Sequence, residues 1–181
     1  MDEPPIREPD NRNLWAPWRQ EYIQSLAEPQ GECFLCRYRD NPSLDKQNLV
    51  LWRGPRALAV LNRFPYTGGH ALVAPLDHVA DLSGLDRHVM LEMLEMTRDL
   101  QLALGDAIHP HGYNVGINLG RCAGAGLPGH LHLHVVPRWN GDTNFMSVFG
   151  DVRVVSASLD RVYAELTRVS AALGLPKLST L

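Results

Sequence analysis

The sequence predicts a single α+β domain built on an antiparallel sheet, and three observations support this class. Short apolar runs of strand-like composition are separated by segments rich in Gly, Pro and Asn. One long segment, and a shorter one near the C-terminus, carry apolar residues at helical spacing. The chain has 181 residues, of which 45% are hydrophobic and 20% charged, so it can bury a sizeable core.

Five segments have the composition or the alternation of strands. The first two lie at residues 49–52 and 57–61 and are parted by Gly54-Pro55. The loop NRFPYTGGH leads into a third run at residues 71–74. HGYNVGINLG supplies a fourth, and HLHLHVV, in which polar and apolar residues alternate, supplies a fifth.

Helical spacing predicts two further elements. In residues 85–104 the apolar side chains mostly recur every three or four positions, which predicts an amphipathic helix that covers the sheet. Asp81 and Ser83 are candidate caps near its start. A second helix is predicted for residues 159–173, where Gly174 ends it.

The chain divides into three predicted parts. Residues 1–30 form an N-terminal extension, residues 31–150 the main domain, and residues 151–181 a C-terminal helical extension. Residues 1–13 are acidic and Pro-rich, and we expect a disordered or loosely docked arm. Residues 14–26 add two tryptophans and a short helical pattern, which is expected to pack over the domain.

Charge and cysteine content narrow the classes of function. The net charge of −3 gives no global signature of nucleic-acid or membrane binding. No segment approaches transmembrane length and the N-terminus lacks the apolar run of a signal peptide, so a cytoplasmic protein is expected. Three cysteines, two of them in CFLC, argue against a disulfide framework and for a metal or thiol role.

Three alternating histidines, His130, His132 and His134, are the strongest candidates for chemistry. On a strand, side chains at every second position share one face and lie roughly 6.6 Å apart, so the imidazoles would project together. Such a row could bind zinc, could include a nucleophile, or could be a polar face without chemistry. A Gly-rich loop precedes it, and such loops present backbone N–H groups to anions such as phosphate (Gly120, Gly124, Gly126, Gly129).

HLHLHVV fits the His-φ-His-φ-His-φ-φ signature, where φ is apolar, and the chain resembles the histidine triad (HIT) superfamily of nucleotide hydrolases and transferases. NRFPYTGGHALVAPLDHV is similar to the Asn-Arg-x-Pro-x-x-x-Gly-His segment of that family, and NVGINLG and PRWNGDTNF also match. The resemblance covers about residues 33–149 and is closest to the bacterial branch similar to diadenosine tetraphosphate phosphorylases and fragile-histidine-triad-like hydrolases. It implies a five-stranded antiparallel sheet with a long helix and a C-terminal helix.

The resemblance assigns roles to the histidines. His132 corresponds to the nucleophile that forms a nucleotidyl-histidine intermediate, and His134 to a residue that contacts phosphate. His70 corresponds to a further histidine near the triad, either catalytic itself or a buried structural partner that hydrogen-bonds the triad. The implied function is cleavage of a phosphoanhydride in dinucleoside polyphosphates by a hydrolase or a phosphorylase.

The same resemblance implies substrate contacts. Asn62 corresponds to a residue that binds the nucleotide sugar, and Asn118 to an asparagine ahead of the phosphate loop. Relatives commonly carry Gln or Ser shortly before the triad, whereas this chain has Ala125-Gly126-Leu127-Pro128, so backbone N–H groups from Gly124 through Gly126 to Leu127 would have to bind phosphate instead. Trp139 is expected to stack on a base, to shape the phosphate end of the site, or to be structural.

A structural zinc site is the second implication. Some bacterial relatives complete a C-x-x-C pair with the His of a Pro-x-x-His segment and the first triad histidine. The corresponding residues here are Cys33, Cys36, His78 and His130. Such a closed Cys₂His₂ site would tie the N-terminal segment to the catalytic strand. Magnesium could assist by neutralising substrate phosphates, although the sequence shows no carboxylate cluster that would bind it.

Two other functions stay open on the sequence alone. The triad could hold a catalytic zinc in a metallohydrolase, or the protein could bind nucleotides as a regulatory partner with little turnover. In each case the expected partner is a small nucleotide. The family also implies a homodimer, to which the helix at residues 85–104 would contribute.

Overall fold

The computed structural model describes residues 33–142 and 158–179. The predicted arm at residues 1–13, the helix within residues 14–26 and the end of the PRWNGDTNF segment lie outside the described residues. No helix in the described part of the chain is long and apolar enough to cross a membrane.

The described residues form four α-helices, five strands and three short 3₁₀ helices. The helices are α1 (Phe34–Asp40), α2 (Asp45–Asn48), α3 (Arg87–Ile108) and α4 (Leu159–Leu173). The strands are β1 (Val50–Arg53), β2 (Ala57–Leu61), β3 (Ala71–Pro75), β4 (Gly112–Ile117) and β5 (Leu133–Arg138). All neighbours pair antiparallel in the order β1-β2-β3-β5-β4, which confirms the predicted α+β class and five-stranded sheet.

The central strands are covered on both faces. Alternate residues of β3 enter two different cores: Ala71 and Val73 pack in the core with α3 and α4, whereas Leu72 and Ala74 pack in the core with α1. All five residues of β2 and of β3 are therefore buried. This double burial explains why these strands show continuous apolar runs in the sequence instead of an apolar–polar alternation.

The long helix begins later than predicted. Asp86 caps it by accepting a hydrogen bond from the His88 N–H, and the helix starts at the next residue. Asp81, the predicted cap, accepts from the Ser83 N–H and caps a separate 3₁₀ turn instead. Two Asp residues with similar capping geometry precede the same apolar pattern, which explains the wrong assignment.

The C-terminal helix belongs to the main core. Val162, Leu166 and Val169 of α4 are buried with residues of the sheet and α3. The helix ends where predicted, because Gly174 adopts a left-handed conformation with φ of 62°. The segment at residues 159–173 is thus part of the folded unit that carries the histidines.

Candidate active site and adjoining metal site

The three alternating histidines separate into two groups. β5 begins at Leu133, so only His134 lies within the strand. The His130 ring turns toward Cys33, whereas the rings of His132 and His134 lie edge to face with their centroids 4.9 Å apart. The prediction that all three imidazoles project from one strand as a single row is therefore wrong for His130.

His132 has the geometry of a nucleophile. Its Nδ1 lies 2.8 Å from the His130 carbonyl oxygen, which can only accept, so Nδ1 carries the proton and donates. Burial lowers the pKa of His132, and the neutral ring is favoured. The Nε2 lone pair of His132 is then available for bond formation.

His134 has the opposite proton arrangement. The Tyr66 N–H donates to His70 Nδ1 at 3.1 Å, so the proton of the neutral His70 ring lies on Nε2. That Nε2–H donates to His134 Nδ1 at 3.0 Å, which leaves the His134 proton on Nε2. Burial, assisted by the nearby His132, lowers the pKa of His134 to about 4, so the ring is neutral at pH 7.

The His134 Nε2–H has no hydrogen-bond partner among the described residues, and this nitrogen is buried. A buried donor without an acceptor costs about 1–3 kcal/mol, so an acceptor on a ligand would relieve that cost. His132 and His134 together offer a lone pair and an N–H donor, side by side, to a group such as a phosphate.

Tyr66 is a site residue that the sequence reasoning missed. Its ring lies 4.6 Å from that of His70 and 5.9 Å from that of His134, stacked on the latter at 18°. The Tyr66 ring therefore covers the rings of His70 and His134 on one side. The NRFPYTGGH segment was recognised through its Asn and Gly-His, and no periodic pattern could show where the Tyr66 ring packs.

Asn62 lies beside His70, where the segment returns to the sheet. Its backbone N–H donates to the His70 carbonyl at 2.8 Å, and this bond extends the pairing of β2 with β3. The Asn62 side chain also contacts the His70 ring, with 3.3 Å between Asn62 Nδ2 and His70 Nδ1. The structure thus brings Asn62, His70, His132 and His134 together.

The loop before the triad is held by hydrogen bonds to its own backbone carbonyl groups. Asn118 Nδ2 donates to the Gly124 carbonyl at 3.4 Å. The Gly124 N–H donates to Arg121 O at 2.9 Å, and the Ala125 N–H donates to Gly120 O at 3.2 Å. Two of the N–H groups expected to bind phosphate are therefore engaged within the loop.

Three other residues that were predicted to contact substrate, Gly126, Leu127 and Trp139, lie in different surroundings. Gly126 is exposed and has open space where a Cβ would lie, whereas Leu127 packs against the core on the α1 side. Trp139 follows β5, and its backbone N–H donates to Asp142 Oδ2 at 3.0 Å. Leu127 O accepts a hydrogen bond from the His130 backbone N–H at 3.4 Å. Among the described residues, no hydrogen bond or ring contact joins Trp139 to the site histidines.

A second cluster combines the two cysteines with two histidines. Cys33 Sγ lies 3.2 Å from His130 Nδ1, and Cys36 Sγ lies 3.2 Å from His78 Nδ1 and 3.6 Å from His130 Nδ1. The four ligand atoms all lie within 4.8 Å of one another. Tetrahedral zinc with N and S ligands requires ligand atoms about 3.3–3.8 Å apart, so these residues fit zinc with small adjustments.

The proton and charge arrangement of this cluster also suits a cation. His130 Nε2–H donates to Pro75 O at 2.9 Å, which leaves the His130 Nδ1 lone pair facing the thiols. Burial and the adjacent Cys33 raise the pKa of the Cys36 thiol. A divalent cation would reverse that effect and favour the thiolate, which is the form that binds metals.

Comparison with known proteins agrees with this geometry. A family model described as the HIT domain matches residues 44–141. A protein of Mycobacterium tuberculosis named AP-4-A phosphorylase is 37% identical over 149 residues, which cover 80% of this chain and 76% of that protein.

Solved structures share the fold. A Zn-bound histidine triad family protein from Mycobacterium smegmatis superposes with a TM-score of 0.63 at 27% identity, covering 79% of this chain and 96% of that chain. Plasmodium falciparum diadenosine triphosphate hydrolase has a TM-score of 0.54 at 16% identity, covering 71% of this chain and 78% of that chain, which shows the fold alone. With its histidines, its sheet and these relatives in agreement, the chain belongs to the HIT, or histidine triad, family.

Proposed function

We propose that this protein cleaves a phosphoanhydride bond of dinucleoside polyphosphates, such as diadenosine tetraphosphate, by transferring a nucleotidyl group through His132. The observation that carries the proposal is the hydrogen bond from His132 Nδ1–H to His130 O, 2.8 Å long, which leaves the Nε2 lone pair of His132 available to attack phosphorus. The name of the Mycobacterium tuberculosis relative supports the substrate class.

In the first step, His132 Nε2 attacks the α-phosphorus of the substrate. A P–N bond forms, the bond to the bridging oxygen breaks, and its electron pair leaves with the nucleoside polyphosphate. The His132 ring becomes positively charged, and its Nδ1–H stays bonded to His130 O, which stabilises that charge. The His134 Nε2–H donates to a phosphate oxygen on which negative charge develops.

In the second step, an acceptor oxygen attacks the same phosphorus. The P–N bond breaks and its electron pair restores the His132 lone pair, so one difficult displacement is divided into two easier ones. With inorganic phosphate as acceptor, diadenosine tetraphosphate yields ADP and ATP. With water as acceptor, it yields AMP and ATP. The name of the relative favours phosphate.

The acceptor is identified by product analysis. The protein is incubated with diadenosine tetraphosphate with and without inorganic phosphate, and the nucleotides are separated by anion exchange. ADP that forms only when phosphate is present supports the phosphorylase, and AMP formed in water identifies a hydrolase. Absence of turnover under both conditions would instead favour a nucleotide-binding protein.

The nucleophile is identified by trapping the intermediate. Substrate labelled at the α-phosphate should leave label on the wild-type chain after an alkaline quench, since a phosphoramidate survives alkali. His132→Asn should carry no label and should lower kcat by at least about 10³-fold, because the attacking atom is lost. Label retained on that variant would contradict the assignment.

The geometry argues against the triad as a catalytic zinc site. His130 Nδ1 faces Cys33 and its Nε2 donates to Pro75, so it does not converge with His132 and His134. We propose instead that Cys33, Cys36, His78 and His130 hold a closed structural zinc. Zinc retained by a His132→Ala variant supports this separation. Zinc lost from that variant, with no trapped nucleotide on the wild type, would contradict it.

A magnesium site formed by the protein has less structural support than the zinc site. No group of three or more potential ligands forms next to the catalytic histidines in the described residues. Any Mg²⁺ would therefore enter with the substrate phosphates.

We also propose that two copies of the chain form a homodimer. β4 is an edge strand of the sheet, and its Val115 is exposed. α3 exposes Leu91, Leu94 and Leu102, and Leu94 is 58% exposed. A second copy would cover these exposed apolar side chains and the strand edge that the described residues leave unpaired. Sedimentation equilibrium should give the mass of a dimer, and a monomer at micromolar concentration would contradict the proposal.

A further inference from the structure

We propose that Asn62 is a positioning residue that, together with the Tyr66 backbone N–H, donates to His70 Nδ1 and so holds the proton of His134 on Nε2. This inference rests on the proposed function, in which the His134 Nε2–H binds the substrate phosphate. It departs from the expectation that Asn62 serves to bind the nucleotide sugar.

The orientation of the Asn62 amide is determined by a main-chain donor. The Phe64 N–H, which can only donate, lies 2.9 Å from Asn62 Oδ1. That contact identifies the Asn62 oxygen and leaves Nδ2 as the atom that faces His70 Nδ1 at 3.3 Å. Asn62 therefore donates to the His70 ring.

Two donors converge on the same nitrogen of His70. The Tyr66 backbone nitrogen lies 3.1 Å from His70 Nδ1, and Asn62 Nδ2 lies 3.3 Å from the same atom. Both keep this nitrogen free of a proton, so the His70 proton stays on Nε2 and points to His134 Nδ1 at 3.0 Å. The proton of His134 then has to be on Nε2, the atom without a protein acceptor among the described residues.

Replacement of Asn62 by Asp changes the group that faces His70 Nδ1 from a hydrogen-bond donor to an acceptor. A carboxylate can only accept, and a hydrogen bond to its charged oxygen is stronger than the neutral one from the Tyr66 N–H, so it favours a proton on His70 Nδ1. His70 Nε2 then accepts from His134 Nδ1–H, and His134 Nε2 loses its proton and its role as a donor. Replacement by Ala removes one donor, but the Tyr66 N–H remains and keeps the original arrangement.

The positioning role and the sugar-binding role of Asn62 predict opposite rankings of the Asp and Ala variants by loss of activity. If Asn62 positions His134, Asn62→Asp lowers kcat by about 10²-fold, the loss typical for one donor to a developing anion, and Asn62→Ala lowers it by less than about 10-fold. If Asn62 only binds the sugar, Ala is the more harmful change and acts on KM, because Asp still accepts from sugar hydroxyls.

The direct test is ¹⁵N NMR of the histidine rings in the ligand-free, full-length protein. At about pH 9, where histidine is normally neutral, long-range ¹⁵N–¹H correlations distinguish an Nδ1 proton from an Nε2 proton. We expect Nε2–H at His70 and His134 in the wild type and in Asn62→Ala, and Nδ1–H at both rings in Asn62→Asp. Phe64→Asp, with an 85% exposed side chain, adds the same charge on the same loop and should keep Nε2–H.

The outcomes separate this inference from the proposed function. An Asn62→Asp protein that folds and keeps Nε2–H at His134 would overturn the positioning role, as would a larger kcat loss in Asn62→Ala than in Asn62→Asp. The reversed proton positions in a protein whose wild type does not cleave dinucleoside polyphosphates would support the role of Asn62 and contradict the proposed reaction.

Discussion

Buried His134 should make the stability of the fold depend on pH in a defined window. Burial, with a smaller contribution from His132, lowers the pKa of His134 from 6.5 to about 4. Between these two pH values the unfolded chain binds a proton at this position that the folded chain does not bind. The free energy of unfolding therefore falls as the pH is lowered from 6.5 to about 4, and the contribution is complete above 6.5.

The size of the effect follows from the same two pKa values. At about 1.4 kcal/mol per pH unit, the difference corresponds to at most about 3 kcal/mol, and the partial exposure of the ring reduces this to about 2 kcal/mol. His134→Asn removes the titrating ring, while its amide oxygen can still accept the His70 Nε2–H. On acidification from about pH 7 to about pH 4.5, the free energy of unfolding of the wild type should thus fall by about 2 kcal/mol more than that of this variant.

Urea unfolding at about pH 7 and about pH 4.5, followed by circular dichroism, measures this difference. His88→Asn, on the first turn of α3, is the matched control, and its loss should equal that of the wild type. Loss of the proposed zinc at low pH would affect all three proteins equally and would cancel in the comparison. Equal losses in the wild type and His134→Asn would refute the claim that the folded protein resists protonation of His134.

Two further predictions concern the proposed zinc ligands and the β1–β2 turn. Cys36→Ser should remove bound zinc and lower the midpoint of thermal unfolding by about 10 °C, whereas Cys122→Ser, at an exposed cysteine, should change neither in metal analysis and calorimetry. Gly54→Ala should cost about 1–3 kcal/mol in urea unfolding, because its Cβ would meet Glu92 Oε1 and overpack the turn. Gly112→Ala, where nothing lies within 4 Å of the new Cβ, is the control, and an equal loss there would contradict the steric explanation.

The sequence predicted the elements best where neighbouring residues decide the structure. The predicted bounds of β2 and α4 equal the observed ones, because an apolar run between turn residues and a helical stripe that ends at Gly174 are local signals. The start of α3 was missed because Asp81 and Asp86 can both cap a helical turn. Only the packing of α3 on the sheet decides which aspartate precedes the long helix.

The chemical character of the site could be predicted only in part. Spacing and family resemblance identified the histidines and the cysteines, and the structure brings them into two clusters. The proton position on His134 could not be read from the sequence, because it depends on His70, which is 64 positions away. It also depends on the backbone N–H of Tyr66, a group that every residue except Pro provides.

The irregular backbone before β5 explains how one short segment serves both clusters. In a regular antiparallel strand, carbonyl groups point to neighbouring strands and side chains stand perpendicular to the sheet. A strand conformation at His130 would therefore commit its carbonyl to the ladder. Instead the Leu131 N–H donates to Val79 O at 2.6 Å, outside the ladder, and His130 O is free to accept the His132 Nδ1–H. Because the His130 ring is held by Cys33 and Pro75 O, the Cys/His cluster positions the carbonyl that accepts the His132 Nδ1–H.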